Sequence, residues 1–269
     1  MSDHDVYTHG HHDAVLRSHR WRTAENSAAY LLPHLRPGLA LLDVGCGPGT
    51  LTVDLAARVA PGRTVGVDTA PDVVTVAREH ARERGATNLE LVAGDFRTLG
   101  LAPGSFDVVH AHQVLQHLRD PVGALRTMAA LARPRGGLVA ARDADYAAMT
   151  WAPADVRLDR WARLYQAVTT RNGADANAGR HLPRWARLAG LDDVTYTTST
   201  WTFATAADRA WWSETWAERV VASSLAEQAL DQGLATRGDL DDIAAGWRAW
   251  ARDVDAVFTV VHGEIVARV

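Results

Sequence analysis

Residues 39–50 read LALLDVGCGPGT, and the fold turns on this stretch. Leu39 to Val44 is a continuous apolar run broken only by Asp43, the pattern of a strand buried on both faces of a parallel sheet. Glycines at 45, 47 and 49 follow at once, and a helical pattern runs from Leu51 to Val59. Glycine there lets the backbone turn tightly and approach a ligand with no Cβ in the way. A dinucleotide fingerprint would place its third glycine at position 50, where this chain has Thr50.

Working outward, the same alternation repeats. Strands are expected at Thr64–Asp68, Leu89–Gly94, Phe106–Ala111 and Gly136–Arg142, and helices at Pro71–Arg84 and Pro121–Ala132. Short connections join them, which predicts a doubly wound α/β sheet with ligands at the carboxyl ends of its strands. Asp68 ends the second strand, 19 residues beyond Gly49, the distance at which an acid accepts both hydroxyls of a ribose. Glycines and acid in register point to an adenosine-containing ligand.

Taken in order, LLDVGCGPGT, VGVDTA, LVAGDF, FDVVHAHQVLQHLRDP and PRGG resemble the class I S-adenosylmethionine-dependent methyltransferases over roughly residues 15–142. Within that class the chain looks most like the small-molecule branch that includes the ubiquinone/menaquinone C-methyltransferases. The resemblance implies S-adenosylmethionine as cofactor, with Gly45, Cys46 and Gly47 beside its methionine part and Asp68 and Thr69 at the ribose. It also implies Asp95 at the adenine amino group, Phe96 on the ring, and a main-chain carbonyl of His112 or Gln113 at the methionine amine. Arg20, Arg22 or Tyr7 would supply a partner for the methionine carboxylate. The expected fold is a Rossmann-like seven-stranded sheet closed by a C-terminal antiparallel pair, with an N-terminal helical cap and a helical lid insertion. In residue numbers, 1–38 form the cap, 39–203 with 254–269 the core, and 204–253 the lid.

The three histidines of HAHQVLQHLRD, His110, His112 and His117, match no known metal-ligand spacing and have no neighbouring acid in register. No metal is therefore expected. His110 reads as a hydrogen-bonded histidine near a strand end, and His117 as structural or as facing the substrate in a catalytic role. Cys46 reads as a small residue under the cofactor, since the local sequence places no base beside it. His9, His11 and His12 leave surface metal binding open.

The second half carries the acceptor site. Asp143, Asp145 and Tyr146 follow the fifth strand and so face the pocket, as loop caps, as a general base, or as an anion that binds an amine. Residues 154–170 carry an amphipathic pattern. Arg180 and His181 follow a glycine-flanked loop with the make-up of a mobile lid; they cap its helix, anchor a substrate carboxylate or remove a proton. Thr195–Phe203 and Ala256–Val269 alternate as strands, and about 50 residues separate them, far too many for a hairpin loop. Five of the ten tryptophans lie in that insertion: Trp211, Trp212, Trp216, Trp247 and Trp250. The acceptor is expected between Asp143–Tyr146, the Arg180–His181 loop and this insertion, with Trp151 nearby. Catalysis is assigned to Asp143, His117 and His181, and substrate binding to Tyr146, Arg180 and Trp151.

Composition sets the outer limits. A chain of 269 residues with 47% hydrophobic and 22% charged residues can bury a sizeable core. Net charge −4 argues against a nucleic-acid partner. No apolar run is long enough to span a membrane, and the single cysteine precludes an internal disulfide. The polar start, MSDHD, lacks the apolar stretch of a secretory signal, so a cytoplasmic location is expected. The expected partner is a small molecule, aromatic in the finer reading, with a homodimer open. The alternatives are a non-catalytic S-adenosylmethionine-binding sensor or scaffold, and a methyltransferase acting on protein or RNA.

Overall fold

The computed structural model describes Thr8 and residues 19–269. Four parallel pairings build the centre of the sheet from β1 (Leu41–Val44), β2 (Thr64–Asp68), β3 (Leu89–Ala93), β4 (Val108–His112) and β5 (Leu138–Ala144). Their order is β3-β2-β1-β4-β5, so the direction of winding reverses between β1 and β4. That reversal opens a crevice at the carboxyl ends of β1 and β4, where the glycine loop and His112 emerge side by side. Every residue of β1, β4 and β5 is buried, as their apolar runs require. The exception in β1, Asp43, is paired across to His110 Nδ1 at 2.7 Å and accepts the Thr52 hydroxyl at 2.5 Å.

Three helices cover this half: α2 (Thr50–Val59), α3 (Pro71–Glu83) and α4 (Pro121–Leu131), the first two chain-adjacent to β1 and β2. A short α1 (Ala24–Ser27) precedes them, its N-terminus closed by a reciprocal pair of bonds between Thr23 and Asn26. Arg180 and His181 belong to the first turn of α6 (Ala178–Leu188), which begins earlier than the sequence pattern indicates. Gly179 inside that turn lies against sheet backbone: a Cβ there would come within 2.7 Å of Asp143 O and Gly263 N. Helix and strand thus meet main chain to main chain. This turn is wedged against the sheet, at the end of the loop expected to act as a mobile lid.

The sheet has eight strands where seven were expected. β8 (Val257–Arg268) runs antiparallel between β5 on one side and β7 (Asp193–Phe203) on the other. The additional β6 (Thr150–Ala152) continues the line of β5 along β8. β7 and β8 are the expected antiparallel pair, joined through the long insertion.

That insertion forms α7 (Ala206–Ala222), α8 (Ser224–Asp231) and α9 (Arg237–Trp250). With α5 (Val156–Arg171) it encloses a second apolar core, distinct from the core beneath the parallel strands. Trp161, Trp216, Trp247 and Trp250 are fully buried there. Their rings meet mostly edge to face, as for Trp161 and Trp216 at 4.5 Å and 72°. Residues 156–171 therefore pack as part of the helical cap over the sheet, although they precede β7 in the chain. Trp21 ties the described N-terminal residues to the same cap, its ring 5.2 Å from Trp201 and 5.5 Å from Trp211.

Candidate active site

One cavity of about 490 Å³ occupies the crevice at the switch point. One end is walled by backbone. Gly45, Gly47 and Gly49 all sit at positive φ, at 69°, 55° and 82°. At Gly45 a Cβ would strike Val114 Cγ2 at 2.4 Å, whereas at Gly47 the nearest atom would be His19 Nδ1 at 3.7 Å. Glycine is thus required at 45 for packing and at both for conformation. The amides of Gly45 and Cys46 donate to Val67 O, which locks the turn onto β2. Cys46 is buried, and burial followed by the nearby Asp43 charge pushes its thiol well up, leaving it protonated and unreactive.

Asp68 lines this end and accepts from Gly47 N at 2.9 Å and Ala70 N at 3.1 Å. A carboxylate has about four lone-pair sites, so two remain for a diol. Thr69, Asp95 and Phe96 line the same wall. Burial raises the Asp95 carboxyl, but bonds from Arg97 outweigh it and hold the group below its usual range. Arg97 grips it from two sides, Nε to Oδ1 at 2.9 Å and Nη2 to Oδ2 at 2.7 Å. The exocyclic amine of an adenine would have to share that carboxylate with Arg97.

Between the ends stand His112 and Gln113. Gln113 has a positive φ of 54°, a conformation uncommon outside glycine. Its side chain joins two partners, accepting from Arg22 Nη2 at 2.6 Å and meeting His262 Nε2 at 2.9 Å. Behind it His262 meets Arg142, which is bonded to Glu264 and lies over the Trp201 ring at 4.9 Å. His112 is buried, and neither ring nitrogen has a hydrogen-bond partner among the described residues. Burial first, then the charges of Arg22 and Arg142, hold its imidazole well below its ordinary pKa. His117 is likewise pushed down, to about 3, by burial and by Arg22. Both are neutral near pH 7.

A family model described as a methyltransferase domain matches residues 35–190, more than half of the chain. The chain belongs to the methyltransferase-domain family. An uncharacterized methyltransferase of Schizosaccharomyces pombe is 32% identical over 98% of this chain and 97% of its own. A ubiquinone biosynthesis O-methyltransferase of Xanthomonas euvesicatoria is 34% identical over 57% of this chain and 63% of its own. Among solved structures, Haemonchus contortus phosphoethanolamine N-methyltransferase 2, bound to phosphomonomethylethanolamine and S-adenosylhomocysteine, shares the fold with a TM-score of 0.59. It is 16% identical and aligns over 96% of this chain and 57% of its own. This protein is a class I S-adenosylmethionine-dependent methyltransferase.

The fit of S-adenosylmethionine is visible in the methyltransferase itself: a cradle that side chains would fill, a carboxylate with lone pairs to spare, and a buried histidine whose ring nitrogens have no hydrogen-bond partner among the described residues. The far end of the cavity is built from side chains. Tyr146, Met149, Trp201, Trp212, Trp216, Arg219 and Val260 line it. Tyr146 stacks on Tyr165 at 4.0 Å, and burial pushes its phenol up to about 12.

Several residues singled out from sequence lie away from this wall. Asp143 is fully buried beneath it, Oδ1 accepting from Gln116 N at 3.1 Å, and burial pushes its carboxyl up to about 8. Arg180 turns to the surface and clasps Asp145 at 2.5 and 2.6 Å. His181 lies 3.5 Å from Asp175 on the same outer face. Trp151 stacks on Phe258, its partner across β6 and β8, against the second apolar core. Of the residues expected at the acceptor, Tyr146 and His117 line the cavity, whereas Asp143, Trp151, Arg180 and His181 do not. Arg22 lines the cavity and Arg20 does not, while Tyr7, His9, His11 and His12 lie outside the described residues. Arg219 was not singled out; its signal was spacing, since 212, 216 and 219 recur at i, i+4 and i+7 on one face of α7. Among the described residues no group of three or more His, Cys, Asp or Glu is placed to hold a metal, and no helix is long and apolar enough to cross a membrane.

Proposed function

We propose that the enzyme methylates a small aromatic acceptor seated between Tyr146, Met149, Trp212 and Trp216. The observation that carries this reading is the single cavity whose wall changes from glycine turns and carboxylates to aromatic rings. S-adenosylmethionine, when bound, supplies an electrophilic methyl group on a sulfonium. Asp68 holds the ribose with its free lone pairs, and Phe96 packs on the adenine while Asp95 shares its carboxylate between the base and Arg97. Gly45 and Gly47 admit the methionine part close to the backbone. Its amine meets a main-chain carbonyl at His112–Gln113, and its carboxylate meets Arg22.

The chain's contribution to the reaction is position and dryness. The rings fix the acceptor and exclude water, and well-oriented reactants alone can supply roughly 7–11 kcal/mol of a barrier. Of the histidines that line the cavity, His112 and His117 are held neutral and weakly basic, and Asp143 does not line it.

The test is turnover. The purified protein is given S-adenosylmethionine and a fractionated metabolite extract, and the extract is screened by mass spectrometry for a gain of one methyl group. Small aromatic products with matching S-adenosylhomocysteine are the expected result. Cofactor binding without turnover in any fraction would leave the scaffold alternative, and methylation confined to the macromolecular fraction would leave the protein or RNA alternative.

A further inference from the structure

The acceptor end carries a pair of tyrosines whose hydroxyls the aromatic reading leaves unused. Tyr146 opens a single turn, Tyr146–Ala148, two residues past β5, and its amide donates to Ala176 O at 3.2 Å. One face of its ring is taken: Tyr165 of α5 stacks on it at 4.0 Å and 16°. Trp216 meets the ring at 88° and Trp161 at 44°, with centroids 6.4 and 6.1 Å away. Three neighbours thus fix the orientation of the ring, and no acceptor can stack on it from the Tyr165 side. Tyr146 lines the cavity, whereas Tyr165, 1% exposed, does not. Burial pushes the Tyr146 phenol up to about 12, and a hydrogen bond with Tyr165 opposes that rise. A bond that favours the phenolate is one its oxygen accepts, so Tyr165 donates and Tyr146 accepts. A phenol has one hydrogen, and that of Tyr146 remains to be given. The charges of Arg219 and Arg22 act on the same phenol, and both arginines line the cavity. Arg22 reaches Gln113, between the two ends. Within reach of both charges, the hydroxyl stands toward the boundary of cofactor and acceptor.

Resting on the aromatic acceptor site proposed above, we infer that Tyr146, backed by Tyr165, is the polar anchor of the acceptor and donates its hydroxyl hydrogen to an oxygen that the acceptor carries. The substrate class is an aromatic molecule bearing a hydroxyl or carbonyl oxygen. A fixed donor in a dry site is selective, because an analogue lacking the oxygen leaves the hydrogen without a partner. An ammonium group has no lone pair to offer it. Tyr165 touches no ligand and acts through Tyr146: by donating to the Tyr146 oxygen it holds the hydroxyl in one direction and strengthens it as a donor. The ring packing that fixes Tyr146 comes from the tryptophan-rich core, so the anchor and the aromatic wall are built together.

The experiment reads binding, so it does not depend on turnover. The protein saturated with S-adenosylhomocysteine is titrated by calorimetry with acetophenone and ethylbenzene, with phenol and toluene, and with benzylamine. Acetophenone and phenol are expected to bind about 5–100-fold tighter than the hydrocarbon of like shape, the range for leaving a buried donor unpaired. A larger factor for acetophenone assigns a carbonyl oxygen, and a larger one for phenol a hydroxyl. Tyr146→Phe keeps the stacked ring; it should remove that preference while leaving the hydrocarbons and S-adenosylhomocysteine within about twofold. Tyr165→Phe alters only the backing bond and should remove a lesser part of the preference, about two- to fivefold. The preference for oxygen in the unaltered protein is readable even if neither variant folds. Hydrocarbons that bind as well as their oxygen-bearing counterparts, or benzylamine that binds best, overturn the inference and leave the aromatic site standing. An oxygen preference that survives Tyr146→Phe, or an equal loss of the hydrocarbons in that variant, overturns the assignment of Tyr146 as the anchor. A panel that fails altogether while S-adenosylhomocysteine binds overturns the aromatic site and the anchor with it.

Discussion

The two ends of the cavity are made in different ways. At the cofactor end, three short segments stand at strand ends: 45–50 after β1, 68–70 at the end of β2 and 94–97 after β3. Their work is done by backbone turns, by main-chain amides and by carboxylates at a strand's last residue or two residues past it. At the acceptor end, Tyr146, Trp201, Trp212, Trp216, Arg219 and Val260 come from four separate elements spread over more than a hundred residues. Nothing local fixes them, and the α5–α9 core holds them in place. Hence a change in that core alters the acceptor end and leaves the glycine loop as it is.

The largest expected effect tests that separation. Trp216 is 1% exposed and packs against Trp161, Trp212, Tyr165 and Trp247. Trp216→Ala should cost about 3–5 kcal/mol of stability. In a chain of this size that is a fall in Tm of roughly 6–20 °C, measured by calorimetry. At a temperature where the variant is still folded, its S-adenosylhomocysteine affinity should stay within about threefold. A loss of tenfold or more would mean that the two ends are coupled and the comparison fails.

The converse substitution is Asp68→Ala. It removes the acceptor of the Gly47 and Ala70 amides together with the ribose contact, so cofactor affinity should fall by about 1–3 kcal/mol, a factor of roughly 5–150. Unchanged affinity in titration calorimetry would remove Asp68 from the ribose. A normal melting profile alongside a weakened affinity would sharpen the contrast, since little packing depends on that side chain.

The same contrast explains what could be read from the sequence. Gly45, Gly47 and Gly49 declare themselves because each needs a positive φ that other residues avoid, and Asp68 because a strand end fixes its distance from them. From Gly45 to Gln113, every residue that the sequence set beside the cofactor therefore lines the one cavity, and the central strands lie where their apolar runs put them. Arg97 escaped notice although it sits two residues from Asp95, because an arginine on a loop gives no sign of which carboxylate it will clasp. The acceptor half was legible only as an excess of tryptophan. Which rings face the cavity is decided by how α5, α7 and α9 cross over β8, a matter of packing between distant segments. Asp143 was hard to place because a position near a strand end puts a residue by the crevice without saying on which side of the sheet its side chain points, and Arg180 because a glycine-flanked loop does not say which carboxylate the arginine after it will clasp. β6 was invisible because three residues beside β8 carry no periodicity.

A smaller effect concerns Asp143. Its carboxyl is raised from 3.8 to about 8, first of all by burial. The folded state therefore binds this proton more tightly than the unfolded chain does. Its contribution to stability is whole below the unfolded value and is lost as pH rises through about 8. His117, held down to about 3, acts in the opposite sense, but only below its ordinary value of 6.5. Between pH 6.5 and 8.5 Asp143 is the one of these two groups that titrates. Asp143→Asn keeps an oxygen for the Gln116 amide and carries no proton to lose. Its Tm should fall less over that interval than that of the unaltered protein, and parallel profiles would place the Asp143 pKa outside it.

The smallest effect is expected at His181, and it discriminates most directly between the two placements of the acceptor. From sequence alone this histidine stood beside Arg180 at the start of a helix after a glycine-flanked loop, as a cap, an anchor for a substrate carboxylate or a group that takes a proton from the acceptor. In the folded chain it is 40% exposed on the outer face of α6, with Asp175 at 3.5 Å and the Trp185 ring at 5.8 Å. The turn carrying it is pinned by the contact of Gly179 with Gly263, so swinging inward would require the helix to leave the sheet. His181→Ala should therefore leave both stability and turnover nearly unchanged, within about 0.5 kcal/mol for the former. Loss of a true general base lowers the rate by roughly 100- to 10,000-fold. The rate constant under saturating acceptor thus separates the alternatives by orders of magnitude. A fall of even tenfold in His181→Ala, with kcat affected and KM not, would return the acceptor to the α6 side and take it away from Tyr146 and Trp212.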